Sequence, residues 1–416
     1  VEFKKYDFES APVCVVEGLR SREDLKSFSS DILAMYQDLL PLIQDTPILL
    51  KPNLNNDLTA LTGNSVDLRF LAALVGTLRG KGYENIWIGD GPNLGVHRLG
   101  IDVFARLGVR ALADRLGVRL VDFNREPGVE IGPGPDLARI AEVILKVPLM
   151  VNIGKIKTHA EAVLSLACKN LIGCLVGSEK RWAHWDLPGR IVDLVQEIRP
   201  RLHLIDGLIA MEGNGPGDGI PRWLGLALAG TDPFLLDGVA ARLCGYEAEE
   251  VPYLREARRR GLISRGDWLL LGKIETRHRL LRAPERSPVA RVLGDVRVAP
   301  LRDLLRFGIS RRPVPDLLYR LRLIQDLYET DDGAIESIPF HPERCTRCGL
   351  CRIYCPMGIE PDREEDRRME EGCLRCLYCC FVCPEEAFEL VGDLGYLRRH
   401  LEKYGEEMRG VGGEKP

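Results

Sequence analysis

Eight cysteines in two copies of one spacing constrain the end of this chain more than any other feature. Cys345, Cys348, Cys351 and Cys355 precede Pro356, and Cys373, Cys376, Cys379 and Cys383 precede Pro384, so CxxCxxCxxxCP occurs twice. Three thiolates at that even spacing wrap one face of an iron-sulfur cube, while the fourth, offset and followed by proline, is directed to a second cube. Tetrahedral zinc also uses CxxC pairs, but it needs neither a third evenly spaced cysteine nor the Cys-Pro step. Nine of the thirteen cysteines crowd between Cys345 and Cys383. That clustering reads as metal ligation in a reducing, cytoplasmic compartment rather than as a disulfide framework.

Residues 340 to 391 resemble the two-cluster bacterial ferredoxins. The resemblance implies two 4Fe-4S clusters that carry single electrons at low potential. It assigns Cys345, Cys348, Cys351 and Cys383 to the first cluster and Cys373, Cys376, Cys379 and Cys355 to the second. Cys380 departs from the pattern by standing directly beside Cys379. Successive residues point in different directions, so it reads as a packed or solvent-facing thiol rather than a ligand. The spacer Met357 to Gly372 is longer and more charged than in a minimal ferredoxin and reads as an exposed excursion.

The chain has 416 residues, 45% of them apolar, enough for two or three domains. Its 57 basic and 61 acidic residues give a net charge of -4, which offers no overall pull toward nucleic acid or an anionic membrane. No apolar run approaches the roughly 18 to 20 residues of a membrane span, and the first twenty residues lack the apolar centre of a secretory signal.

Short β-branched runs alternate with amphipathic stretches from about residue 10 to 245, which predicts an α/β fold: a mostly parallel sheet with flanking helices. Strands are expected at Val13 to Val16, Pro47 to Leu50, Asn85 to Gly89, Val118 to Val121, Val147 to Ile153, Leu202 to Ile205 and Leu224 to Ala229. Helices are expected at Arg22 to Leu42, Asp67 to Lys81, Gly100 to Leu116 and Pro188 to Ile198. The domains then read as 1–275, the α/β domain; 276–335, an Arg- and Pro-rich connection; 336–392, a small α+β ferredoxin-like domain; and 393–416, a C-terminal helix and tail. Twelve arginines face four acids between Arg277 and Arg322, and twelve acids face seven bases between Glu336 and Val391. Either the connection packs against the cluster module, or its arginines form a solvated surface.

In open α/β sheets ligands bind beyond the carboxyl ends of the strands. Lys51, Pro52 and Asn53, then Asp90, then Lys155, Lys157, Thr158 and His159, then Asp206 each follow an expected strand. With Lys169, Asn170, Lys180, Arg181 and His184 they concentrate positive charge and donors suited to an anion. A lysine crowded by other cations also loses proton affinity and becomes useful for proton transfer. Asp206 and Glu212 flank an expected turn and read equally as ligands of a divalent cation, as bases or as caps. GxGPxxG occurs at Gly89 to Gly95 and at Gly213 to Gly219 and fits a close backbone approach. Neither copy is a dinucleotide GxGxxG, since Leu94 and Asp218 hold the sixth positions, which argues against a nicotinamide or flavin site.

KPN at Lys51, IGDGP at Ile88, NIGKIKTH at Asn152, KNLIG at Lys169 and IDGLIAMEGNGP at Ile205 resemble the domain-of-unknown-function 362 family. The resemblance implies an active site at Lys155, Lys157, His159, Lys169, Asp206 and Glu212, and a two-cluster ferredoxin module often follows in that family. One departure is Leu61-Thr62-Gly63-Asn64, where a proline often follows the threonine.

Three functions compete. The leading reading is an anaerobic iron-sulfur oxidoreductase in which clusters relay electrons to an anionic small molecule. Lys155, Lys157 and Lys169 would clamp it, His159 or His184 would pass protons, and Asp206 with Glu212 would orient groups. The alternatives are a dedicated electron-transfer partner, for which the large domain is a docking platform, and a non-redox enzyme whose clusters stabilise or sense. A redox partner protein or ferredoxin is expected under the first two.

Overall fold

The computed structural model describes residues 1–132, 137–284, 328–363 and 372–412. Its main sheet runs in the order β1 (Glu2–Tyr6), β2 (Val13–Glu17), β11 (Asp218–Gly230), β10 (Leu202–Asn214), β8 (Leu149–His159), β3 (Ile48–Pro52), β4 (Ile86–Asp90) and β5 (Arg119–Asp122). β9 (Val163–Ser165) folds back on the end of β8, and β6 (Gly128–Ile131) with β7 (Ala138–Ala141) forms a separate hairpin. The run β10, β8, β3, β4, β5 is parallel, whereas β11, β2 and β1 each join their neighbour antiparallel.

Parallel strands covered on both faces are apolar without alternation, and every residue of β3 and β8 is buried. Alternate residues nevertheless feed different cores. Ile48 and Leu50 of β3, with Leu149, Val151 and Ile153 of β8, join the core under α1 (Arg22–Met35), α2 (Leu68–Gly80) and α3 (Val109–Leu116). Leu49 and Met150 join the opposite core, with α4 (Ala167–Asn170), α5 (Leu187–Ile198) and α6 (Pro233–Leu243). Capping fixes where the helices start: Ser21 and Asp24 form a capping box on α1, and the Asp67 carboxylate accepts from the Arg69 N–H at the start of α2.

Several elements differ from their sequence reading. The helix expected over Gly100 to Leu116 is broken at Gly108, whose φ of +74° only glycine adopts without strain, and α1 stops at Met35. β8, β10 and β11 are much longer than their apolar runs, since β8 continues into a ribbon with β9 and β10 into one with β11. Lys155, Lys157, Thr158 and His159 therefore lie inside β8. Asp206 and Glu212 both lie inside β10 rather than on either side of a turn; the turn is the ribbon tip between Asn214 and Asp218.

The C-terminal module contains β12 (Ala334–Ser337), β13 (Val391–Asp393), α7 (Leu350–Tyr354), α8 (Tyr378–Val382) and α9 (Leu397–Met408). Its two halves repeat one backbone path. Arg347 and Arg375, Gly349 and Leu377, and Gly358 and Glu386 take left-handed φ at equivalent places, a strain that non-glycine residues keep only where the surroundings enforce it. The module shares the core of α1 and α2. The Leu68 N–H donates to the Tyr378 hydroxyl at 3.3 Å, and the Arg69 guanidinium stacks 4.0 Å from the Tyr354 ring centroid.

Residues 285–327 of the Arg- and Pro-rich connection and 364–371 of the charged spacer lie outside the described residues. The described arginines Arg277 and Arg282 pair with Glu17 and Glu250 of the α/β part, not with the module. No helix among the described residues is long and apolar enough to cross a membrane.

Candidate functional site

Cys355, Cys373, Cys376 and Cys379 line one hollow of about 90 Å³, and the rest of its wall is largely apolar, including Ile338, Phe340, Met357 and Phe388. Cys383 has Cys348 and Cys345 as electrostatic neighbours, and Cys348 also neighbours Cys351. The two halves direct matching N–H groups at sulfur. Arg347 and Arg375 donate to Cys345 and Cys373 two residues back, at 3.4 and 3.3 Å, while Ile359 and Ala387 donate to Cys355 and Cys383 four residues back, both at 3.3 Å. Burial pushes the Cys376 thiol well up, and contact with Cys380 together with burial does the same to Cys379. Such thiols ionise only when a bound cation replaces the proton. Four sulfurs around one apolar hollow, with backbone donors on the sulfurs, fit an iron-sulfur cluster. Cys380 packs against the core of α1 and α2, its Sγ 4.0 Å from that of Cys379.

A second cavity, of about 360 Å³, opens at the carboxyl ends of β3, β4 and β8. Lys157, Lys169 and Lys180 line it, with His159, His184 and Arg181. The Lys157 amine donates to Asn53 Oδ1 at 2.9 Å and the Asn64 carbonyl at 2.8 Å, both neutral acceptors. Burial, then the nearby Lys169 and Lys155, holds it well below the usual lysine range. Burial also lowers Lys169 and Lys180 to about 8. His159 Nδ1 accepts from the N–H groups of Glu161 and Ala162 at 3.0 and 3.1 Å, so in the neutral ring the proton sits on Nε2.

The other two lysines at these strand ends do not line the cavity and are neutralised, although Asp90 and Asn170, which contact Lys51, do line it. Lys51 pairs with Asp90 at 2.7 Å and donates to Asn170 Oδ1 at 3.1 Å, and Asn170 in turn donates to Asn152 Oδ1 at 2.8 Å. Lys155 pairs with Asp206 at 2.8 Å, both fully buried. Asp206 also accepts from the N–H groups of Asp67 and Leu208 at 2.8 and 2.9 Å. Lys155 and Asp206 thus tie β8 and β10 to the start of α2 and do not line the cavity. Glu212 does not line it either; its carboxylate accepts from the Leu281 N–H at 2.9 Å. A divalent cation held jointly by Asp206 and Glu212 is not supported, because their oxygens serve different partners. Among the described residues no three His, Cys, Asp or Glu side chains are placed to hold a single metal ion.

The two GxGPxxG strings differ in structure yet both reach the cavity. In the first, a Cβ on Gly91 would lie 2.5 Å from the Gly173 carbonyl oxygen; the second is the ribbon tip, which supplies Pro216 and Gly217. At the departure near Thr62, Gly63 has φ +76°, and a Cβ there would lie 2.3 Å from the Ala210 carbonyl oxygen, so close approach of β10 sets that turn. Sequence reasoning missed Asn55, Asn56, Asn93 and Tyr328 in the lining; Asn93 donates to the Tyr328 hydroxyl at 2.9 Å. Asn93 was legible as a helix cap, whereas nothing local marked Tyr328.

Residues 48–242 match the family model described as domain of unknown function DUF362, and residues 338–359 match the 4Fe-4S binding domain. The chain carries a DUF362 domain followed by a 4Fe-4S motif. That motif supports iron-sulfur cluster binding and an electron-transfer role. The chain is 29% identical over 227 residues to the thylakoid-associated protein sll1697 of Synechocystis sp., covering 52% of this chain and 68% of the relative. It is 34% identical over 90 residues to an uncharacterized protein of Methanothermobacter thermautotrophicus, covering 21% of this chain and 19% of that one. The lysine cavity lies largely within the DUF362 match.

Proposed function

We propose that this protein is a cytoplasmic iron-sulfur oxidoreductase that takes electrons from a redox partner protein and delivers them to an anionic small molecule in the lysine cavity. Two 4Fe-4S clusters are part of the reading, one on Cys345, Cys348, Cys351 and Cys383, the other on Cys373, Cys376, Cys379 and Cys355. The clusters, when bound, supply one-electron transfer; binding and orientation fall to the chain. Lys157, Lys169 and Lys180 hold the anion, and His159, with its Nε2 proton, is placed to exchange a proton with it. Lys155 and Asp206 position β8 behind Lys157.

The observation that carries the reading is that cavity and cluster module meet at one short segment. Asn64 takes a hydrogen bond from Lys157, and Leu68, four residues on, donates to Tyr378 between Cys376 and Cys379. Four residues reach no further than about 14 Å, so the two sites stand close together.

The test is anaerobic. Reconstituted protein is reduced stoichiometrically and mixed with pools of anionic metabolites while cluster absorbance and the paramagnetic signal are followed. A compound that re-oxidises wild type and fails with Lys157→Ala, at equal iron content, supports the reading. Unchanged re-oxidation in Lys157→Ala and His159→Ala by every active compound would remove the cavity from the reaction.

A further inference from the structure

The polar interior at the strand ends holds more buried amines than buried carboxylates to match them. Lys51 is matched by Asp90 and Lys155 by Asp206. Among the described residues Lys157 and Lys180 donate to neutral oxygens, Lys180 to Asn124 Oδ1 and the Leu175 carbonyl. Lys169 makes no ion pair among the described residues, its nearest acid influence being Glu161, which also bonds His184 at 3.3 Å. Three amines therefore face one cavity with no carboxylate paired to any of them among the described residues; the Asp90 carboxylate also lines it but is paired with Lys51. An isolated buried ammonium is costly unless an opposite charge reaches it.

We propose that the cavity takes a polyanion, a ligand with at least two negative charges on a phosphate or polycarboxylate group, which completes the charge of Lys157, Lys169 and Lys180. The proposal deepens the reading of this cavity as a substrate site and rests on it. A monoanion leaves two amines unmatched, whereas a dianion or trianion matches the set. Lysine suits the task, since an ammonium is a point charge that meets a tetrahedral or branched anion from any side, without the planar fork with which arginine selects.

Binding is linked to protons. Lys169 and Lys180 sit near 8 without a ligand, and a bound polyanion raises both. The groups facing them act in both directions. Lys157 meets Lys51, Lys155, Lys169 and Asp90; Lys180 meets Asp90, Lys51, Cys174 and Asp122, with His97 beyond it; Lys169 meets Glu161. Asp90 already serves Lys51, and Asp122 is itself raised by burial, so neither neutralises the set. At pH 8 the complex takes up protons that the free protein lacks.

Calorimetric titration of the oxidised holoprotein at pH 8, in two buffers of different ionisation enthalpy, tests this with pyrophosphate, citrate and acetate as probes. Pyrophosphate or citrate binds at least about tenfold more tightly than acetate, with net proton uptake, and the tighter of the two identifies phosphate or polycarboxylate chemistry. Lys169→Gln weakens that binding by about tenfold or more and reduces the uptake, while Lys169→Arg retains most of the affinity. Lys169 is the first choice because its amine lies at the cavity wall; Lys180 is deeper, and its loss risks the fold. Acetate binding as tightly, no polyanion binding up to about 10 mM, proton release, or an unaffected Lys169→Gln each overturns the proposal. The clusters stay oxidised and nothing turns over, so failure here is distinct from failure of the redox reading, which would appear as intact polyanion binding without re-oxidation.

Discussion

Thiols line the hollow of the C-terminal module and amines line the cavity of the α/β domain, and in both sets burial disfavours the charged form. Burial pushes Cys376 up, and it pushes Lys157, Lys169 and Lys180 down. On the proposed reading one site takes a cationic cluster and the other an anion. They differ in how they are built. The thiols come from two copies of one local turn, fixed by paired left-handed residues and N–H contacts to sulfur. The amines come from β8, α4 and the segment beyond it, on a scaffold tied by the Lys51–Asp90 and Lys155–Asp206 ion pairs. The first site is therefore sensitive to its own ligands, and the second to the scaffold behind it.

Cys376→Ser strikes the first site hardest. Iron per chain should fall to about half of the wild-type content, one cluster of the proposed pair being lost. The thermal midpoint should drop as well, because metal binding contributes directly to folding stability and Cys376 packs beside Gly108 at the seam with the α/β domain. Iron analysis and a melting curve on anaerobic protein read both effects. A full iron complement in the variant would break the assignment of Cys376.

Asp206→Asn strikes the scaffold of the second site. It leaves Lys155 buried without its charge partner and should lower unfolding stability by about 3 to 5 kcal/mol. Replacing both partners, as Lys155→Met with Asp206→Leu, should recover much of that loss, although the N–H groups of Asp67 and Leu208 lose their acceptor. Denaturant midpoints compare the two variants. A change under about 1 kcal/mol for Asp206→Asn would mean that the pair is not what holds β8 and β10 to α2.

The same contrast explains what could be read from the chain. The cysteine spacing was legible because its chemistry is local: eight residues and two prolines state the geometry without tertiary information. The central strands were legible because Ile48 to Leu50 and Leu149 to Val151 are apolar on both faces. The ends of β8, β10 and β11 were not, since Lys155, Lys157, Asp206 and Glu212 are polar residues in buried strand positions, where hydrophobic pattern predicts a loop. The period-two rule, carried past Ile153, would have placed Lys155 and Lys157 on the face that also receives the cluster module. Tyr328 had no local signal, because it reaches Asn93 only through the tertiary fold.

The pH dependence of stability separates the cavity from the module by a smaller effect. An unfolded lysine keeps its proton to about 10.4, whereas Lys180 in the fold gives it up near about 8 because of burial. Between these values the unfolded chain binds more protons, so this residue makes stability rise with pH, by up to about 1.4 kcal/mol per unit. Below about 8 both states are protonated and the contribution is flat. Lys180→Met should remove that share of the slope, as denaturant midpoints between pH 8 and 10 would record. An unchanged slope would place the titration elsewhere.

Thr158→Val tests how far the ribbon tip belongs to the cavity. The Thr158 hydroxyl donates to the Gly213 carbonyl at 2.8 Å and accepts from the Gly215 N–H at 3.3 Å, and a Cβ on Gly215 would lie 2.3 Å from the Thr158 carbonyl oxygen. These contacts hold Pro216 and Gly217 in the cavity wall. Valine keeps the shape and loses the hydrogen bonds, which should cost about 1 kcal/mol in stability. If the tip is part of the binding wall, affinity for the polyanion should fall by more than stability does, since a displaced wall affects every contact made across it. Equal losses in the two measurements would mean that the tip only braces β10 against β11 and that the amines alone make the site.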